Sequence, residues 1–251
     1  FAGLFGIGGG LITVPFLFFI FDSLSINQDY LMHLAVGTSF AIIIPTSLIS
    51  VLTHKKHGSV DFSVIKNYAI FVIIGVLSGT MFAAILHTKS LLLFFTVIVY
   101  LLGAYLLNLR DKKNKLKTNF NLLPRVLLGF VSGFISATMG IGGAVMNVPI
   151  LRYFGYPINK AIGSAAAIGS VISLFGAIGF LITGSYLKTD LPLSIGFINI
   201  PAFLIFIPIT MVMARVGANT VQKIDKSKLQ RFFGIFLYLV GTVFLYRFLT
   251  I

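Results

Sequence analysis

A glycine-rich segment that occurs twice within apolar sequence constrains this chain more than any other feature. It reads GIGGG from Gly6 and GIGGA from Gly140, and a proline follows each copy at the same offset, Pro15 and Pro149. Each glycine costs a helix roughly 1 kcal/mol relative to alanine, so clustered glycines interrupt one. We therefore expect a break at each copy, followed by a new helix whose first N–H groups are free to bind an anion.

The composition indicates a polytopic membrane protein. Apolar residues make up 57% of the chain and charged residues only 10%, with a mean hydropathy of +1.02, whereas soluble proteins carry about 25% charged residues. Several apolar runs exceed the ~18 residues that suggest a membrane-spanning helix. The net charge of +13 comes from basic residues in short loops between these runs. That placement is typical of cytoplasmic loops, so we expect a lipid bilayer and no nucleic acid as partner.

Three segments recur in the same order, which indicates an internal duplication. Besides the glycine segment, residues 35–39 (AVGTS) match residues 161–165 (AIGSA), and residues 94–103 match residues 232–241. The expected fold is an all-α polytopic membrane protein with two homologous halves, each with a glycine-broken, re-entrant helix plus three transmembrane helices. The expected parts are a first transmembrane repeat over 1–109, a basic cytoplasmic linker over 110–124 and a second transmembrane repeat over 125–251. In the second repeat we predict that one span covers 191–214.

The distribution of basic residues favours inverted rather than parallel halves. Parallel halves built of four simple spans each would place 11 of the 19 lysines and arginines inside and 8 outside. If each break is instead the tip of a re-entrant hairpin, only Lys89, Lys188 and Arg247 lie outside. Because orientation follows the asymmetry of Lys and Arg in short loops, the inverted arrangement is predicted.

The length of the segment before the second break agrees with a re-entrant hairpin. Residues 125–139 would span about 22 Å as a helix, enough to reach the middle of a ~30 Å hydrocarbon core and turn back. A kink in one long tilted helix is the alternative. Irregular backbone at that depth is tolerated only inside protein or beside water, so we expect the two breaks to meet near the midplane and to line a cavity.

Neutral groups are the candidates for binding a substrate in these spans, because no Lys, Arg, Asp or Glu lies deep within them. Two half-helix N-termini with hydroxyl and amide donors suit a small anion. A site without a fixed cation releases its ligand readily, which favours transport over storage. The predicted substrate-binding residues are Gly6, Gly8, Gly9, Gly10, Thr13, Thr38, Ser39, Gly140, Gly142, Gly143, Asn147, Ser164 and Asn199.

Each polar candidate also has a purely structural interpretation. Thr13 and Asn147 occupy equivalent positions one turn into the half-helices, where they either contact substrate or bond the backbone. Thr38 and the two serines can bond their own helices at i−4. Asn199 can satisfy a carbonyl that Pro201 frees.

Other chemistry is disfavoured by what the sequence contains. There is no cysteine or glutamate, and the aspartates all lie in or beside loops, which argues against a carboxylate proton relay. The glycine segments lack the strand and acidic residue of a dinucleotide fingerprint, and no HExxH or GxSxG motif occurs. We expect no enzyme activity, no cofactor and no metal. Solvated positions at span ends or in loops are expected for the histidines His33, His54, His57 and His87.

The paired glycine segments with their VP sequences, the AVGTS and AIGSA segments and the GFIN sequence before Pro201 together resemble the TauE/SafE family. It is also called the sulfite exporter or toluene-sulfonate-uptake-permease family. The resemblance covers essentially the whole chain. It implies a multi-pass transporter of the bacterial or archaeal cytoplasmic membrane for small sulfur-containing anions such as sulfite, sulfonates or sulfoacetate. Substrate contacts would then lie at the glycine segments, Thr13 and Asn147.

The second copy departs from the first in ways that argue against equal roles for the halves. Ala144 replaces the last glycine, and Ser164-Ala165 stands where the first half has Thr38-Ser39. A secondary carrier for a sulfur oxyanion is the leading interpretation, and an anion-selective channel with the same lining is its main rival. An intramembrane enzyme ranks third because no nucleophile–base or metal constellation is present. A homo-oligomer is compatible with the sequence.

Overall fold

Helices account for nearly all of the structure. The computed structural model describes residues 9–108, 122–220 and 226–250. Within these ranges the helices are α1 (Gly10–Ser23), α2 (Leu31–Lys56), α3 (Phe62–Ile85), α4 (Thr88–Asn108), α5 (Leu122–Met139), α6 (Ala144–Tyr153), α7 (Ile158–Tyr186), α8 (Ile200–Thr220) and α9 (Lys226–Thr250). A single 3₁₀ turn, Gln28–Tyr30, leads into α2.

The lengths of the helices separate membrane spans from half-spans. In the described part of the chain, seven helices are long and apolar enough to cross a membrane. The helices that follow the two breaks are shorter: α1 has 14 residues and α6 has 10. At 1.5 Å per residue, neither reaches across a ~30 Å hydrocarbon core. The prediction of an all-α polytopic membrane protein is confirmed. Most of the predicted linker, 110–124, lies outside the described residues.

The span predicted over 191–214 is wrong at its beginning. The strands β1 (Ser194–Ile195) and β2 (Ile198–Asn199) form a small antiparallel hairpin before α8, pairing Ser194 with Asn199 and Ile195 with Ile198. Gly196 turns the hairpin with a φ of 56°. Pro201 then lies in the first turn of α8, where a helix needs no backbone N–H from it.

Glycines allow the halves to pack closely on each other. In α3, Gly75 and Gly79 face the backbone carbonyls of Phe130 and Phe134 in α5, and a Cβ at either glycine would overlap those atoms. Small residues at such crossings let membrane helices approach to backbone contact. This contact joins α3 of the first half to α5 of the second.

The last helices of the two halves, α4 and α9, pack through a reciprocal contact. Gly103 faces the ring of Tyr238, and Gly241 faces the ring of Tyr100. These four residues belong to the segments that repeat in the sequence. Equivalent residues of the two halves thus contact each other's helix in the same way.

The ends of the helix bundle are joined by polar contacts. At one end Asp22 of α1 forms an ion pair with Arg247 of α9, and the Thr88 hydroxyl at the start of α4 donates to the Asp29 carbonyl (2.7 Å) before α2. At the opposite end, where α3 and α7 begin, the N–H of Asp61 donates to a hydroxyl of α7. The starts of α2 and α4 therefore lie together at one end, and the starts of α3 and α7 at the other.

Candidate functional site

Each break ends on a glycine in the left-handed conformation, and a half-helix begins directly after it. Gly9 (φ 87°) precedes α1, and Gly143 (φ 70°) precedes α6. The left-handed conformation costs a residue with a side chain about 1–2 kcal/mol, which explains glycine at both of these equivalent positions. Residues 140–143 are not helical, so the second break interrupts the helix. Gly6 and Gly8 of the first break lie outside the described residues.

The two breaks meet. A Cβ at Gly10 would overlap the carbonyl oxygen of Gly140 and would lie 2.7 Å from the Cα atom of Ile141. The hydroxyl of Ser39 in α2 donates to the same Gly140 carbonyl (3.0 Å), which holds the second break against the first half. The prediction that the breaks meet is confirmed for Gly10 and the second break, and their position near the midplane stays a prediction. The contact holds because Gly10 has no side chain to keep the two backbones apart.

The second break also packs on α7. Gly169 of α7 faces the Gly142 carbonyl oxygen so closely that a Cβ at position 169 would overlap it. The break is therefore enclosed by backbone from α1 on one side and from α7 on the other. Ser39 and Gly142, both predicted as substrate-binding residues, thus take part in contacts that position this break.

Thr13 and Asn147 make the same backbone bond in the two halves. The Thr13 hydroxyl donates to the Gly9 carbonyl (3.0 Å), and the Asn147 amide Nδ2 donates to the Gly143 carbonyl (2.7 Å). Of the two interpretations left open for this pair, backbone bonding is thus realised in both copies. Asn147 has a further amide hydrogen, whereas the single hydroxyl hydrogen of Thr13 is used.

The orientation of Asn147 is fixed by α5. Its Oδ1 accepts a hydrogen bond from the Ser132 hydroxyl (3.1 Å), and its side chain is fully buried. With the oxygen held by Ser132, the amide nitrogen faces Gly143 and the start of α6. No side chain of the described residues caps that start.

Thr38 and Ser164 each bind the start of a helix in the opposite half: Thr38 binds at α8, and Ser164 binds at α3. Thr38 Oγ1 accepts the backbone N–H of Asn199 (2.9 Å), and Ser164 Oγ accepts the backbone N–H of Asp61 (2.9 Å). Thr38 and Ser164 are equivalent in the repeat, and Asp61 and Asn199 are related by the same offset of 138 residues as the repeated segments 94–103 and 232–241. The bonds expected within their own helices are replaced by one symmetric pair of contacts between the halves.

Asn199 and Asp61 are N-caps, which corrects the expectation for Asn199. Asn199 Oδ1 accepts from the Ala202 N–H (3.0 Å) at the start of α8, so it serves the helix N-terminus and not a carbonyl freed by proline. Asp61 Oδ1 accepts from the Ser63 hydroxyl (2.6 Å) and N–H (3.0 Å) at the start of α3. These bonds, the hydroxyl bond foremost, hold the pKa of the Asp61 carboxyl below its usual value.

One polar group at the second break was missed from the sequence. Ser136 of α5 is fully buried, and among the described residues its hydroxyl has no hydrogen-bond partner. Ser136 Oγ lies 3.3 Å from the position that a Cβ would take at Gly143. A serine inside a span normally bonds its own helix, so the sequence carries no sign that this one does not.

Two histidines differ from expectation. His33 and His54 are buried, not solvated. His33 Nε2 lies 2.9 Å from the Ala83 carbonyl oxygen, and its ring stacks on Phe197 of the hairpin at 5.0 Å between centroids. The site of His33 is enclosed because the hairpin before α8, which the sequence did not predict, covers the start of α2.

An open groove lies away from the meeting point of the breaks. It has a volume of about 530 Å³ and lies between α4, the start of α5 and the end of α6. Its lining is formed by Tyr105, Leu123, Pro124, Leu127, Leu128, Pro149, Ile150 and Tyr153. The predicted cavity between the breaks stays a prediction.

Broken helices that meet inside a bundle of apolar spans define a multi-pass membrane protein. The chain belongs to the sulfite exporter TauE/SafE family, whose model matches residues 1–244. It is therefore a membrane transporter and not an enzyme.

Relatives agree with this assignment. A probable membrane transporter protein of Haemophilus influenzae is 32% identical over 96% of this chain and 91% of its own length. A probable membrane transporter protein of Methanocaldococcus jannaschii is 28% identical over 95% of this chain and 88% of its own. Bacillus subtilis YunE, another probable membrane transporter protein, is 25% identical over 97% and 92% of the two chains. No solved structure matches the chain significantly.

Proposed function

We propose that this protein is a secondary transporter that moves a small sulfur-containing oxyanion, of the sulfite, sulfonate or sulfoacetate type, across the cytoplasmic membrane. The observation that carries the proposal is the match to the sulfite exporter family over nearly the whole chain. The geometry of the breaks supports it independently, since two half-helices begin where the halves meet. Helix N-termini attract negative charge and present unpaired N–H groups.

The proposed binding mode uses backbone and neutral side chains only. The glycine segments and the half-helices as far as residues 20 and 151 contain no charged residue. Half-helix N-termini that point at anionic groups are a known arrangement in transporters built from repeats. An anion that is held only by dipoles binds weakly, because the dipoles compensate only part of its lost hydration. It can therefore be released on the other side of the membrane.

We further propose that the two halves have opposite orientations in the membrane. The contacts at the ends of the bundle support this, because α2 begins beside α4 while its equivalent, α7, begins beside α3 at the other end. The excess of basic residues on one side in that arrangement supports it as well.

Transport of sulfite by purified protein in liposomes tests the function. We expect saturable uptake, and acceleration of labelled uptake by unlabelled sulfite or sulfonate on the opposite side. Chloride and phosphate serve as control anions. Absence of transport for every sulfur oxyanion would refute the proposed substrate class. Large unitary currents without counterflow would instead indicate an anion-selective channel.

Cysteine labelling tests the orientation on a chain that has no native cysteine. Lys160 lies in the first turn of α7 and Lys188 follows its last residue, so Lys160→Cys and Lys188→Cys must be labelled from opposite sides. The inverted arrangement places Lys188 outside, so only Lys188→Cys should react with an impermeant reagent in intact cells. Labelling of Lys160→Cys alone would support parallel halves.

A further inference from the structure

We infer that the hydroxyl of Ser136 contacts the transported anion, so that the second break supplies more of the binding than the first. The inference rests on the proposed function, because it assigns a further binding residue to the same site. It begins from a polar group that has no hydrogen-bond partner in the described part of the chain. Ser136 Oγ is fully buried and accepts or donates no hydrogen bond among the described residues. Burying a hydroxyl in this way costs stability, unless a ligand uses it.

The surroundings of Ser136 are rich in hydrogen-bond donors. Ser136 Oγ and Asn147 Nδ2 lie 3.3 Å and 3.1 Å from the same point, the position of the Cβ that Gly143 lacks. The Cδ1 methyl group of Ile172 fills that point, so an anion bound there must displace the flexible end of the Ile172 side chain. Asn147 uses one amide hydrogen on the Gly143 carbonyl, and no acceptor in the described ranges uses the second. The start of α6 follows directly, uncapped by any described side chain. A hydroxyl, an amide and a helix N-terminus therefore converge beside one glycine.

Ser132 orients Asn147 so that its amide group presents a donor, and not an acceptor, to the cluster at Gly143. Because Ser132 donates to Asn147 Oδ1 (3.1 Å), the amide cannot turn its oxygen toward Gly143 without losing that bond. Donors without a neighbouring carboxylate or a fixed cation suit an oxyanion with several acceptor oxygens, such as a sulfite or a sulfonate group.

The first break does not repeat this cluster. The position equivalent to Ser136 is Ala2, and the position equivalent to Asn147 is Thr13. The Thr13 hydroxyl is used on the Gly9 carbonyl. A left-handed glycine followed by a half-helix is present in both halves, while the additional side-chain donors occur in the second.

The test compares Ser136→Ala with Ser50→Ala in purified protein. Ser50 of α2 is a matched control, because its buried hydroxyl also has no partner among the described residues, but it does not adjoin the Gly143 position. Both variants should keep or raise the melting temperature of the unliganded protein, since each loses an unpaired buried hydroxyl. Sulfite affinity, measured by calorimetry or thermal shift, should fall ten- to a hundredfold in Ser136→Ala and stay within about twofold in Ser50→Ala.

The outcomes separate this inference from the proposed function. If wild-type protein binds sulfite or a sulfonate and Ser136→Ala binds it equally well, the inference is wrong and the proposed function stands. If wild-type protein binds no sulfur oxyanion, both are wrong. A marked fall in melting temperature in Ser136→Ala alone would show that the hydroxyl stabilises the fold. Ser136→Cys, which keeps the shape of the side chain with a slightly larger atom and a weaker donor, should show intermediate affinity and serves if the alanine variant does not fold.

Discussion

From Gly9 and Gly143 onward, the first and second breaks share a backbone conformation and differ in their polar side chains. Both start a half-helix from a left-handed glycine, and in both a side chain one turn later donates to that glycine's carbonyl. At the second break that side chain is Asn147, which is oriented by Ser132 and lies near the Ser136 hydroxyl, a group with no partner among the residues that the structure describes. At the first break Thr13 occupies the same position and has no hydrogen left to donate.

This difference suggests that the two halves took on different roles in binding after the duplication. Backbone geometry and close packing determine where the breaks lie. A substitution that alters this packing would affect both halves, because the two breaks contact each other. Side chains beside the breaks are freer to diverge, because the helix N-termini attract an anion without them. The first half then contributes mainly the surface against which the second break is held, through Gly10 and Ser39.

The largest effect is expected from Gly10→Ala. Its new methyl group would overlap the Gly140 carbonyl oxygen, which belongs to backbone and cannot rotate away. Overpacking typically costs 1–3 kcal/mol, and we expect about 3 kcal/mol here together with loss of transport. Gly143→Ala meets the movable end of Ile172, so its main cost is the left-handed φ, about 1–2 kcal/mol. The melting temperatures of the two purified variants show which substitution destabilises more. A Gly10→Ala variant that is more stable than Gly143→Ala would contradict the meeting of the breaks.

A smaller effect is expected where side chains of α2 and α7 accept hydrogen bonds from the starts of α8 and α3. Thr38→Val and Ser164→Ala each leave one backbone N–H without its acceptor, which costs about 1–3 kcal/mol when that N–H is buried. Asn199 is buried and Asp61 is only half-buried, so Thr38→Val should destabilise more than Ser164→Ala. Thermal unfolding in detergent measures both. Equal or reversed losses would mean that these bonds do not differ in burial as the structure indicates.

The smallest effect concerns pH. Asp61 and Asn199 are equivalent N-caps, but only Asp61 titrates. Since its folded pKa is lowered, Asp61 contributes stability above its unfolded pKa, and this contribution is lost as the pH falls through the folded pKa. Asp61→Asn should therefore have a melting temperature that changes less between neutral pH and about pH 3 than that of wild type. Identical pH profiles would show that the Ser63 bonds do not favour the charged carboxyl.

Several parts of this arrangement follow from sequence alone. Clustered glycines in apolar surroundings predicted the interruption between α5 and α6, and hydropathy predicted a polytopic helical protein. The meeting of the breaks followed from the rule that irregular backbone avoids lipid. These inferences rest on local composition and on solvent physics, which a single sequence carries.

The remaining features depend on contacts between distant segments. Ser164 bonds Asp61, and Thr38 bonds Asn199, across the two halves, and nothing local to either pair specifies the partner. The hairpin before α8 was hidden because Leu191 and its neighbours are as apolar as a span. Ser136 became notable only through the absence of a partner among the described residues, which is a property of the packed structure.

The direct test of the account is the sulfite affinity of Asn147→Thr. This variant gives the second break the side chain of the first, and its hydroxyl can still donate to the Gly143 carbonyl, as Thr13 does to Gly9. It removes the spare amide donor. We expect affinity to fall about ten- to a hundredfold, or roughly 1.5–3 kcal/mol, and the melting temperature to fall as well, because the buried Ser132 hydroxyl loses the Oδ1 that accepts its hydrogen bond. Thr13→Ala should lose stability and keep its affinity. Unchanged affinity in Asn147→Thr, with weaker binding in Thr13→Ala, would contradict the assignment of the anion to the second break.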